Sequence, residues 1–171
     1  MNNFLRRRTE TERIKSLPLK RLRLQIAMLK GWELWTVKDY PFIYPFPKGI
    51  LSKLDETQWT RYTDPVIRED HIVVWQTDQP NWPEIAADAW KLVTETWNFP
   101  ESNCLMNLNY SLGCEKGSWN NFSYQVELRM IEKHDHLVID GDTPAVAISR
   151  AYVLWAWEVR VNLGTITEIK E

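Results

Sequence analysis

The sequence predicts an α+β fold in which an antiparallel sheet, built around one central hairpin, is packed by helices. Two observations carry this. Residues 104–112 and 122–130 alternate apolar and polar side chains, the period of half-buried strands. Three other segments repeat apolar residues at helical spacing, each with a start or stop signal. With 171 residues the chain fits one domain, large enough to bury roughly two-thirds of its unfolded surface. No metal or disulfide staple is required for a core of that size.

Residues 1–16 are charged and poor in apolar side chains, which reads as a basic N-terminal arm or a loosely held helix. From Pro18, Leu22, Ile26 and Leu29 recur on one helical face while Lys20, Arg23 and Lys30 line another, and Gly31 is a natural stop. Trp32, Leu34 and Thr36 alternate with Glu33, Trp35 and Val37 as a short strand would. Tyr40 to Pro47 sets three prolines among four aromatics, and proline brings no N–H to an interior ladder, so an extended loop is expected. A polar segment follows, and Ile72 to Trp75 gives a brief strand signal.

Asn81 with Glu84 has the spacing of a capping box, and Pro83 fits a first helical turn. Trp82, Ala86, Trp90, Val93 and Trp97 then form the expected buried stripe, beside Ile85, Ala89 and Leu92. In the hairpin, Cys104, Met106, Leu108, Tyr110 and Leu112 face inward with Phe122, Tyr124, Val126, Leu128 and Met130. Gly113, Gly117, Asn120 and Asn121 fall in the expected connecting loop. His134 to Asp142 reads as a loop, and Asp142 and Thr143 cap a last helix with Pro144 in its first turn. Ile148, Ala151, Tyr152, Trp155 and Val159 form its stripe; Val153 and Trp157 lie off it, so the helix is either deeply buried or presents surface to a partner.

Three pieces of this pattern resemble the phage ABA sandwich domain, a family of small proteins carried by phages and prophages. They are Leu24-Gln25-Ile26-Ala27 with Gly31-Trp32-Glu33-Leu34-Trp35, then Pro83 to Val93, then Asp142 to Ala151. The likeness runs from about Leu24 to Ala156 and departs over 39–80, which is longer and richer in Pro and aromatics. It implies an α/β/α sandwich, with helices on both faces of the sheet, and a phage or prophage setting without a settled activity. The expected organisation is a basic arm over 1–16 and a single sandwich domain over 17–171, with an aromatic and Pro-rich insertion at about 39–80.

The formal charge of −2 hides an asymmetry: residues 1–30 hold nine Lys/Arg against two Glu, so the remainder is strongly acidic. A basic arm on an acidic body either docks on that body or contacts nucleic acid. The nucleic-acid reading uses Arg6, Arg7, Arg8, Arg13, Lys20, Arg21 and Arg23, but no aromatics interleave them. Two cysteines, Cys104 and Cys114, and the lack of an apolar leader point to reduced thiols in the cytoplasm of the host cell. No apolar run reaches bilayer length, so no membrane partner is expected.

Catalytic motifs are wanting: there is no Gly-rich phosphate loop, Gly-x-Ser-x-Gly elbow or Cys-x-x-Cys pair. No catalytic residue, metal or cofactor is assigned. His134 and His136 with Asp140 or Asp142 have no diagnostic metal spacing. Binding is the better reading. Asn107, Asn109, Ser111, Gln125, Glu127 and Arg129 form a polar strand face which, with Trp82 and Trp90 from the central helix, has the hydrogen-bonding and stacking groups of a nucleotide pocket. A solvated sheet face is the plain alternative. The expected function is a non-catalytic phage accessory protein that binds a host protein or small molecule, such as a nucleotide-type immune signal; the alternative is a nucleic-acid-binding accessory protein. Self-association through the last helix is compatible with both.

Overall fold

The computed structural model describes residues 3–37, 40–48, 58–64, 67, 71–97, 104–115, 118–130 and 135–162, with side chains at all of these except 3–5, 97, 104–123, 130, 135–136 and 159–162. Its class is α+β, as expected, and the chain gathers into two compact units. One comprises Met1–Arg23 and Pro80–Glu171, the other Leu24–Gln79. The division falls inside a helix, and the stretch expected as an insertion at about 39–80 belongs, up to Gln79, to a unit that already begins at Leu24.

The larger unit contains α1 (Asn3–Ser16), the start of α2 (Leu19–Leu29), α3 (Ala86–Trp97), β5 (Cys104–Glu115), β6 (Ser118–Met130), β7 (Asp135–Gly141) and α4 (Pro144–Asn162). Its sheet has the order β5-β6-β7 and is antiparallel throughout. The hairpin is longer than expected: Gly113, Asn120 and Asn121 lie in strands, with a register shift between Gly113 and Glu115. The expected loop after His134 is β7, which pairs Leu137 with Leu128 and Ile139 with Val126. Alternating Leu137 and Ile139 complete the apolar face, so Val126, Leu128 and Ile139 are fully buried and α4 packs over β6 and β7.

α4 begins where Thr143 Oγ1 accepts the Val146 N–H at 3.2 Å, satisfying one of the orphan donors of a helix start. From Ala145 to Ala156 every residue but Arg150 is buried, so the breadth of this apolar surface is taken up inside the chain by α3, α1 and the sheet rather than presented for self-association. Val159 lies outside the described side chains. The strand entering this helix comes very close to it: a Cβ on Gly141 would lie 2.5 Å from the Ala147 backbone nitrogen. Only glycine fits there without a shift of backbone.

In α3 the buried residues are Ala89, Leu92, Val93 and Thr96, spaced i, i+3, i+4 and i+7. The expected stripe through Ala86 and Trp90 is out of phase, and Trp90 is 46% exposed. Trp82 is buried but stands before the helix, which starts at Ala86, so counting four-residue steps from it misplaces the face. Asn81 and Glu84 do hydrogen-bond, though within a turn ahead of the helix; the Asn81 N–H is taken by the Asp88 carboxylate at 2.8 Å. Burial pushes the Asp88 pKa up, but hydrogen bonds from Lys91 and Asn81 and the charges of Lys91 and Arg23 outweigh it, leaving the carboxyl below its ordinary value.

The smaller unit contains the rest of α2, β1 (Glu33–Val37), β2 (Phe42–Phe46), β3 (Trp59–Arg61) and β4 (Ile72–Val73), in a sheet of order β3-β1-β2-β4. α2 ends in a Schellman motif: Trp32 N–H donates to the Ala27 carbonyl and Gly31 N–H to that of Met28, both at 3.0 Å, with Gly31 at φ +78°. Leu24, Leu34 and Ile43 form the core, lined by Tyr62, Ile67, Val73 and Trp75.

β2 corrects the expected loop, and hydrogen-bond direction explains how Pro45 sits inside it. The Ile43 carbonyl accepts from Val74 N–H at 2.8 Å, so Pro45, two residues on, turns its nitrogen to the β4 side. β4 stops at Val73, hence no ladder donor is missed there. The Pro45 carbonyl on that edge is instead taken by Gln79 Nε2 at 2.7 Å. On the other face, Tyr44 and Phe46 lie with centroids 6.3 Å apart and nearly parallel rings, and Trp59 packs edge-on against both at 5.0 and 5.7 Å.

Candidate binding face

The register of β6 settles which residues share a surface. Since Val126 and Leu128 are buried, Gln125, Glu127 and Arg129 occupy the opposite face. Asn109 is the register partner of Gln125, Asn107 of Glu127 and Ser111 of Ser123. The six strand residues expected as a binding face therefore do share one; the side chains of Asn107, Asn109 and Ser111 are outside the description.

β7 adds residues expected in a loop. Asp140 pairs with Gln125, Val138 with Glu127 and His136 with Arg129. Val138 is 46% exposed despite being apolar, and the Arg129 side chain is 61% exposed while its Nε lies 3.1 Å from Glu127 Oε1. The alternation of Leu137 and Ile139 was the signal that could have revealed this third strand. One edge of the face is tied down: Lys15 Nζ pairs with Asp140 Oδ1 at 3.1 Å, and Arg150 donates to the carbonyls of Asp140 and Lys15 at 2.9 and 2.8 Å.

The two tryptophans do not join this face as stacking groups. Trp82 is 1% exposed and has no ring surface to offer; Trp90 stands on the outer side of α3, whose inner side packs on α4. Among the described side chains, the face presents the Gln125 amide, the Glu127 and Asp140 carboxylates, the apolar Val138 and the Arg129 guanidinium. Such a set can donate to and accept from a polar ligand, with the guanidinium suited to a carboxylate or phosphate. Among the described residues, no group of three or more His, Cys, Asp or Glu is placed to hold a metal ion.

The basic N-terminal segment is a helix built into the larger unit. Ile14 is fully buried, and Arg7 reaches the 2%-exposed Glu158 of α4 through Nε at 2.7 Å and Nη2 at 3.3 Å. Arg13 is held by Glu10, and Arg23 donates to the Pro80 carbonyl at 3.0 Å. Burial lowers the Arg23 pKa, and the charges of Glu84 and Asp88 offset this only in part. Arg6, Arg8 and Lys20 are exposed, and Arg21 is half-buried. No helix among the described residues is long and apolar enough to cross a membrane.

The chain matches no family model, and neither curated proteins nor solved structures give a match.

Proposed function

We propose that this protein is a non-catalytic binding module whose working surface is the polar face of the β5-β6-β7 sheet. Its ligand is a host component carrying hydrogen-bonding edges and negative charge, of which a nucleotide-type signal is the leading case. The supporting observation is the row formed by Gln125, Glu127 and the exposed Arg129, in register with Asn109 and Asn107 on one side and Asp140 and Val138 on the other. The likeness to the phage ABA sandwich domain supplies the setting, that of a phage accessory protein acting stoichiometrically on its host. The nucleic-acid alternative draws less support, because Arg7 and Arg23 are bonded to distant parts of the chain and Arg13 is paired with Glu10 on its own helix.

Titration of the full chain with mono-, di- and cyclic nucleotides, read by urea denaturation, tests the reading. A ligand at about 100 times its Kd adds about 2.7 kcal/mol to stability. That gain should disappear in the surface variant Gln125→Leu/Arg129→Leu. If no nucleotide stabilises the protein, or the variant gains as much as the wild type, the proposal fails. Binding to mixed-sequence DNA that weakens steeply with salt and is lost in Arg6→Ala/Arg8→Ala/Lys20→Ala would favour the alternative.

A further inference from the structure

The edge of a β-sheet carries unpaired N–H and C=O groups, and folded proteins blunt such edges by shortness, charge, proline, bulges or cover. Among the described residues the two sheets have four edges, and three of them are blunted. In the smaller unit β3 has three residues and β4 two. In the larger unit the end of β7 is tied at Asp140, whose carboxylate pairs with Lys15 and whose carbonyl accepts from Arg150. The fourth edge, β5, is twelve residues long, pairs with β6 along one side and has α3 packed on it, as β7 has α1. Among the described residues no strand pairs with its other side. From Cys104 to Cys114 it contains no charge and no proline, and its register shift comes only at the far end, between Gly113 and Glu115.

We propose that β5 pairs edge to edge and antiparallel with β5 of a second copy of this chain, joining two three-stranded sheets into one of six strands. The regular part of β5, Cys104 to Leu112, is centred on Leu108. A two-fold axis there sets Asn107 opposite the partner's Asn109, Met106 opposite the partner's Tyr110 and Leu105 opposite the partner's Ser111. Every pair keeps its parity, so residues on the face of Val126 and Leu128 meet residues of the same face, and the apolar layer continues across the junction. All nine paired positions are uncharged, so no like charges confront each other; Glu115 and the register shift fall beyond the paired segment. A strand that is neutral and centred in this way suits an isologous contact, in which each copy offers the same surface. The pairing would also run the polar face unbroken from one copy to the next, but it stands whether or not that face binds a nucleotide.

Sedimentation equilibrium of the full chain without added ligand should give the mass of two chains of 20.3 kDa. Two double variants test the register. Asn107→Lys/Asn109→Lys sets lysine against lysine twice across the axis, whereas Asn107→Lys/Asn109→Glu sets lysine against glutamate twice. With far-UV circular dichroism unchanged in both, the dimer Kd of the first should exceed that of the second by about tenfold or more. A monomeric wild type at tens of micromolar, or equal Kd values for the two variants, would overturn the proposal.

Discussion

The two units solve the same packing problem with different materials. In the larger one, long elements bury aliphatic side chains: α4 is covered almost all round from Ala145 to Ala156, and Val126, Leu128 and Ile139 close the sheet beneath it. In the smaller one, strands of two to five residues are too short to bury much by alternation, and rings and single side chains complete the structure. Tyr44, Phe46 and Trp59 pack across strands, and a glutamine side chain takes a carbonyl that no strand reaches. Long elements tolerate the loss of one hydrogen bond but not a buried charge or a clash; short ones depend on each side-chain contact.

The strongest way to break this contrast is at Arg7. Arg7→Met leaves the Glu158 carboxylate, 2% exposed, without its guanidinium and should cost about 3 kcal/mol by urea denaturation. Arg7→Met/Glu158→Met should recover most of that loss, since a buried pair replaced by apolar groups is often neutral. A double variant as unstable as the single one would show that the pair is not the cause. Gly141→Ala should cost about 2 kcal/mol, because its Cβ would meet the α4 backbone and not a movable side chain. A neutral result there would show that strand and helix are further apart than described.

Smaller effects sharpen the comparison. In the smaller unit, Gln79→Ala should cost about 1 kcal/mol and speed hydrogen exchange at Val74 and its neighbours, with exchange in α4 unchanged. Equal acceleration in both units would erase the distinction between them. Asp88→Asn should cost about 1 kcal/mol at neutral pH by weakening the contacts with Asn81 and Lys91. Because the folded pKa of Asp88 lies below its unfolded value, this contribution is present above the unfolded pKa and is lost as pH falls through the folded one. Wild type and variant should therefore converge in acid; a gap that persists below the carboxylate range would mean that the charge is not responsible.

The same contrast governs how much could be read from the sequence. The last helix was legible because Thr143 and Pro144 mark its start and its apolar run is long; the hairpin was legible because its alternation persists over many residues. Gln125, Glu127 and Arg129 followed from that alternation. β7 was hidden because His134-Asp135-His136 and Asp140-Gly141-Asp142 bracket only two inward residues with loop-like chemistry. β2 was hidden because Pro45 is excluded only from a ladder that continues on both sides, and where β4 ends is a tertiary fact. Trp90 was misplaced by a phase counted from Trp82, which precedes the helix. The engagement of Arg7 with Glu158 joins residues 151 positions apart and has no local signature.

Native mass spectrometry of protein purified from cells that produce nucleotide signals tests the proposed binding function most directly. The account predicts a bound nucleotide released on denaturation, present in the wild type and absent from Gln125→Leu/Arg129→Leu. Wild-type protein without a bound small molecule, or one retained equally by the variant, would contradict it.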